Sequence, residues 1–304
     1  MILCCGEALI DMLPRESTGG EPAFAPYPGG AVFNTAIALG RLGVETSFFS
    51  GLSRDLFGEM LETALGASHV DASVAVRSDR PTTLAFVKLV DGQARYAFYD
   101  ENTAGRMLTP ADLPDVTEAE ALFFGGISLV VDPCGAAYEA LMLREAGKRE
   151  AGKRVTMIDP NIRPGFITDE RAYRARIERI LAVADIVKIS DEDMDWLGTD
   201  ADEILANGAA LVCVTEGAKG VVGHWRGGSV RAEAQRVQVV DTVGAGDTFN
   251  AGLLAGLSQA GLLDRTALAQ LDEAKVKPAL DLGNRAAAIT VSRAGANPPW
   301  ANEL

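Results

Sequence analysis

The stretch DTVGAGDTFNAGLL, residues 241–254, decides how this chain is read. Small residues, Gly244, Ala245 and Gly246, stand in front of Asp247, and Phe249, Leu253, Leu254 and Leu257 follow at helical spacing. The pattern predicts a helix that starts near Gly246 or Asp247. The first amides of a helix have no partner within it and its dipole makes that end positive, so bare residues there form a cradle for an anion. As a plain N-cap, Asp247 would be worth about 1 kcal/mol. A plain cap needs no bare approach path, and Gly-Ala-Gly supplies one. An Asp at the edge of such a cradle can instead take the proton of a hydroxyl attacking a phosphoryl group, with a rate contribution of ~10²–10⁴.

Outward from this stretch, the bulk properties limit the ligand. A chain of 304 residues with 48% hydrophobic content can bury one large core, as one α/β domain with an appendage or as two unequal domains. A formal charge of -14 repels polyphosphate backbones and anionic lipid surfaces, so no nucleic acid and no membrane partner is expected. The N-terminal MILCCGEALIDML contains Glu7 and Asp11, lacks a basic leader and reads as a buried strand, not a signal peptide. No apolar run approaches the roughly 18 residues of a membrane helix. Cys4, Cys5, Cys134 and Cys213 show no C-x-x-C spacing and read as inert, reduced thiols of a cytoplasmic protein. The two histidines, His69 and His224, sit in no zinc-like cluster and beside no plausible nucleophile. Chemistry must therefore run on carboxylates, backbone amides and a hydrated cation.

Short β-rich runs alternate with helical patterns: MILCCGEALI, then GGAVFNTAIALGRLG, later ALFFGG, VTMIDPN, ADIVKIS and AALVCVTEG. This predicts βαβ units in a mostly parallel sheet with helices on both faces. The exception is TTLAFVKLVDGQARYAFY, residues 82–99, where DG between two strand-like runs signals a hairpin that projects from the main sheet. The Pro- and Gly-rich stretch 12–28 can join it as a lid. Each main run ends in a polar or glycine element: Asp11, Gly125 and Gly126, Asp159 and Asn161, Ser190, Thr215. Ligands of open parallel sheets sit beyond the carboxyl ends of the strands, so these residues are expected on one rim, although polar residues also simply begin loops.

DTVGAGDTFNAGLL resembles the C-terminal signature of the ribokinase-like (PfkB) sugar kinases, and PGGAVFNTAIALGRLG, residues 28–43, resembles their N-terminal signature. The two come in the family's order and the likeness spans essentially the whole chain. It implies a three-layer α/β/α sandwich with a small β-sheet lid, and ATP-dependent phosphorylation of a sugar hydroxyl. The expected division is 1–11, 29–80 and 105–304 for the α/β domain, with 12–28 and 81–104 as the lid. Asp247 is then the base and the amides of Gly244, Ala245 and Gly246 the anion hole.

Other roles are implied position by position. Asp11 resembles the acceptor of sugar hydroxyls, Gly29 and Gly30 let the sugar lie against backbone, and Asn34 hydrogen-bonds its hydroxyls; a tight turn and an ordinary polar helix residue are the plainer alternatives. Phe98 and Tyr99 alternate in facing, so one closes over the sugar while the other packs into the lid or a partner. DPNIR, residues 159–163, is similar to a segment in which Asn161 and Arg163 approach the phosphates and substrate. Thr215, Gly217 and Gly220 in VTEGAKGVVG resemble a nucleotide-binding turn, and Asn284 a position near the adenine. In place of the family's N-x-x-E element the chain has SDED, residues 190–193: Ser190 joins the nucleotide set, and Asp193 stands where Glu is typical. Its reach to Mg²⁺ is one methylene shorter, Glu192 is an alternative, and an acidic helix start would look the same. A K⁺ ion near Asp241 and the SRAGA loop is implied by the resemblance alone.

For substrate, Asp100 and Glu101 at the lid end disfavour a sugar acid, which points to a neutral ketose such as fructose. The alternatives are 2-keto-3-deoxygluconate, ribose, or a catalytically silent sugar-binding regulator on the same fold. An exposed hairpin lid invites pairing with another lid, so a homodimer is expected.

Overall fold

The computed structural model describes residues 1–90, 93–147 and 154–304. The chain opens with β1 (Ile2–Cys5), β2 (Leu9–Glu16), β3 (Pro22–Gly29), α1 (Ala31–Arg41), β4 (Thr46–Phe49), β5 (Gly51–Ser53), α2 (Leu56–Ala67), β6 (Val70–Asp71) and β7 (Val76–Ser78). Next come β8 (Leu84–Val90), β9 (Gln93–Tyr99), β10 (Ala121–Gly125), α3 (Cys134–Ala146), β11 (Val155–Asp159), α4 (Glu170–Leu181), β12 (Ile186–Ser190), α5 (Asp191–Leu197) and α6 (Ala201–Ala206). The last part holds β13 (Leu211–Thr215), β14 (Val221–Trp225), β15 (Gly228–Ala232), α7 (Ala245–Gln259), α8 (Arg265–Leu268) and α9 (Glu273–Val291).

The nine-stranded main sheet runs in the order β15-β14-β13-β12-β11-β10-β1-β4-β6. It is parallel from β6 to β13, and β14 and β15 extend it as antiparallel edge strands. Every residue of β1, β4, β10 and β11 is buried, which explains their unbroken apolar runs: a sheet covered on both faces has no polar side to alternate with. Residues such as Ile2, Cys4, Met157 and Ile186 pack with α1, α7 and α9 on one face. Leu3, Cys5, Ile158 and Val187 pack with α3 and α4 on the other. The result is the three-layer α/β/α sandwich expected.

A separate four-stranded sheet has the order β3-β2-β8-β9. Its outer pairs are antiparallel and its central pair, β2 with β8, is parallel. The DG pair expected to turn the hairpin, residues 91–92, lies outside the described residues. MILCCGEALI, read as one strand, is in fact two: β1 belongs to the main sheet and β2 to the small one. The division falls at Glu7, whose carboxylate leaves the strand to accept hydrogen bonds from Ala31 N at 2.9 Å and Ser128 N at 3.3 Å. Asp11 therefore lies within a small-sheet strand and not at the end of a main-sheet strand.

Candidate active site

A cavity of about 710 Å³ opens where the small sheet overhangs the main one. Its wall includes Asp11, Gly30, Asn34, Phe98, Asn161, Arg163, Gly244, Ala245, Gly246 and Asp247. These residues come from β2, α1, β9, the loop after β11 and the start of α7. Period-two alternation explains the small sheet's share: Asp11, Ala85 and Phe98 are paired across the strands and so face the same way. Phe98 meets Phe166 edge-to-face at 4.7 Å. Tyr99 points to the opposite face, where it packs on Phe86 beside Phe24 and is exposed.

Helix α7 begins as the glycines predict. Gly244 is its N-cap with φ 77°, a left-handed conformation that a side chain would strain. No side chain caps this end. The Ala245 amide makes a long 3.3 Å bond to Thr242 O; those of Gly246 and Asp247 belong to the first turn, which has no intrahelical acceptor. Asp247 is buried in the wall, its Oδ2 accepting a 2.8 Å bond from Asn34 Nδ2. Thr35 Oγ1 donates to the Asp247 backbone carbonyl at 3.2 Å. Burial pushes the Asp247 carboxyl up to about 7, against the Asn34 hydrogen bond, which favours the ionised form. Such a group can accept a proton near neutrality and give it up again.

Asp11 is pushed up to about 6 by burial alone. Gly29 stands behind it: a Cβ there would come within 2.3 Å of Asp11 Oδ2, so this glycine makes room for the carboxylate. Glu7, not singled out in the sequence, also lines the cavity, and burial raises its carboxyl. Asp100 is not part of the wall; it accepts a bond from Thr83 Oγ1 at 2.7 Å and faces Arg106. The carboxylates that line the cavity are thus Glu7 and Asp11 beside Asp247, and Asp100 and Glu101, expected at the lid end, do not line it.

The remaining candidates lie outside this cavity. Ser190 and Thr215 are the last residues of β12 and β13 and are paired in register at the carboxyl edge. Ser190 Oγ caps α5 by accepting from Asp193 N at 3.0 Å. Gly217 and Gly220 have φ values of 54° and 93° in the turn into β14. Asn284 Nδ2 donates to the carbonyls of Ala232 and Glu233 at 2.9 and 3.1 Å. Asp193 is buried and accepts from Ile162 N at 3.2 Å; burial, then the nearby charge of Asp159, raises its carboxyl. Asp241 Oδ2 accepts from Gly295 N at 2.9 Å, which joins it to the SRAGA loop. Among the described residues no group of three His, Cys, Asp or Glu side chains could hold a metal. No helix among the described residues is long and apolar enough to cross a membrane.

The chain is similar to known sugar kinases in sequence and in fold. A fructokinase of Rhizobium leguminosarum bv. trifolii is 58% identical over 280 residues, covering 90% of this chain and 84% of its own. The crystal structure of fructokinase with bound ATP from Xylella fastidiosa superposes with a TM-score of 0.88 at 30% identity, over 97% of this chain and 93% of that one. A Vibrio cholerae fructokinase in a fructose-, ADP- and calcium-bound form gives 0.81 at 27% identity, over 97% and 94%. Residues 1–303 match the pfkB family carbohydrate kinases, and the chain belongs to that family.

Proposed function

We propose that this protein is an ATP-dependent fructokinase, transferring the γ-phosphoryl group of ATP to the primary 6-hydroxyl of fructose. The observation that carries the reading is the buried Asp247 carboxylate, which shares one cavity wall with Asp11, Asn34 and Phe98. Asp11 and Asn34 hold sugar hydroxyls, the backbone at Gly29 and Gly30 lets the ring lie close, and Phe98 covers it. The attacking hydroxyl gives its proton to Asp247 as its oxygen bonds to the γ-phosphorus and the bond to ADP breaks. The amides at the start of α7 and the Arg163 guanidinium receive the charge that spreads over the phosphoryl oxygens.

The nucleotide runs along the carboxyl edge of β11 to β13, past Asn161, Ser190, Thr215, Gly217 and Gly220 towards Asn284. Asp193 would help to hold Mg²⁺, which would supply charge neutralisation for the phosphates. Asp241, already tied to Gly295, would help to hold a K⁺ ion. Two carboxylates at the sugar end, Glu7 and Asp11, disfavour a sugar acid and support a neutral ketose. The exposed rings of Phe24 and Tyr99 on the outer face of the small sheet support a homodimer formed through that face. Four free, buried cysteines suit a reducing cytoplasm.

ADP release measured with fructose, ribose and 2-keto-3-deoxygluconate tests the assignment. Release with fructose at a KM well below that for the other two is expected. Release only with the sugar acid overturns the substrate, and fructose binding without any release overturns the kinase.

A further inference from the structure

Lys188 stands where β12 would be expected to carry an apolar side chain. Ile186, two residues earlier, packs into the layer of α1, α7 and α9, and strand alternation points Lys188 the same way. Lys188 is 5% exposed, Asp159 2% and Asn250 1%. The ammonium is 2.9 Å from Asp159 Oδ2, and the same oxygen accepts a 2.7 Å bond from Asn250 Nδ2 on α7. A Cβ on Gly246 would stand 3.3 Å from Lys188 Nζ. The cation therefore lies directly behind the first turn of α7.

Stability does not account for this arrangement. Replacing a buried ion pair by apolar groups of similar volume is often neutral or stabilising. The site is also the wrong end of a helix for a cation, because the N-terminus already carries the positive pole of the dipole. A cation there raises the potential at the cradle, which is unfavourable until an anion occupies it and favourable afterwards.

We propose that Lys188 is a positioning residue of the phosphoryl-transfer site: its ammonium is a fixed positive charge behind the cradle, held there by Asp159 and Asn250. This rests on the reading of Asp247 as base and of the α7 start as phosphoryl site. The groups that act on Asp247 are Asn34, Asp159, Lys188 and Glu7; the charges of Asp159 and Glu7 oppose its ionisation and that of Lys188 favours it. The pair thus joins phosphoryl binding to the state of the base.

The test is the neutral pair Lys188→Met/Asp159→Asn, with Lys188→Gln/Asp159→Asn as a second form should the first fold poorly. Expected is a thermal midpoint at or above the parent's, a fructose KM within about threefold, and a kcat about tenfold or more lower, as on loss of a preorganised charge. Asp159→Asn alone keeps the cation and removes an opposing charge, so the acid limb of its kcat profile moves to lower pH, which a purely structural role would not produce. Parent-like kcat in both double variants, or a loss of kcat that only follows a falling thermal midpoint, overturns the proposal. Asp247→Asn is measured alongside. If it turns over like the parent, the base assignment has failed; if it is inactive while the double variants are parent-like, only the role of Lys188 has.

Discussion

Asn34 Nδ2 and Asp247 Oδ2 lie 2.8 Å apart although 213 residues separate them in the chain. The bond joins the first turns of α1 and α7, the helices that the two glycine-led motifs begin, and Thr35 adds a second link to the Asp247 carbonyl. Two positive helix ends thus meet around one carboxylate in the cavity wall.

Asp247→Asn keeps the shape of the wall and removes the proton acceptor. Turnover should fall by ~10²–10⁴ while fructose binding changes little. Calorimetric titration of fructose beside initial rates checks both halves, and unchanged rates would falsify the role of Asp247.

The same substitution should raise stability in a pH-dependent way. The carboxyl sits at about 7 in the folded protein against an ordinary 3.8. Its preference for the folded state is fully present below 3.8 and has gone once pH rises through about 7. Thermal midpoints of Asp247→Asn and parent should therefore coincide near pH 4 and diverge by pH 8, with the variant higher.

Removing Asn34 takes away the hydrogen bond that favours the ionised base. In Asn34→Ala the acid limb of the kcat profile should move to higher pH than in the parent. A profile that stays in place would mean that another group titrates in the rate.

Gly29→Ala would drive a methyl group into Asp11 Oδ2, 2.3 Å from where the Cβ must sit. The carboxylate has to turn away, so the fructose KM should rise by about tenfold or more while the ATP KM holds, the signature of lost substrate binding. Rates at varied fructose and fixed ATP, then the reverse, separate the two.

Glu7→Ala strands the amides of Ala31 and Ser128 that its carboxylate now satisfies. The expected cost is about 1–3 kcal/mol for each group left without a partner. Chemical denaturation measures it, and Glu7→Gln should recover part of the loss.

What could be seen in advance was what repeats along the chain. Unbroken apolar runs between helical patterns specified the parallel sheet, and Gly244, Ala245 and Gly246 before Asp247 specified the uncapped start of α7. Single side chains with no pattern around them stayed hidden. Lys188 sits inside the run IVKIS and looks like a strand residue snorkelling outward; only the position of Asp159 on the neighbouring strand reveals a buried pair. Glu7 looked like an interruption in a continuous strand because nothing local indicates that its partners are amides 24 and 121 residues away. The stretch VTEGAKGVVG reads as a glycine turn, yet β14, which begins inside it, alternates buried and half-buried residues, while β15 beyond it is mostly exposed and carries little pattern.

The cavity draws Glu7 and Asp11 from the opening strands and Asp247 from a helix close to the other terminus. During synthesis, the pocket and the core are completed together, because α7 brings Asp247 and also carries Phe249, Leu253 and Leu254 into the layer that covers one face of the main sheet. A nascent chain that stops short of α7 consequently lacks that covering and the cavity's Asp247 carboxylate alike.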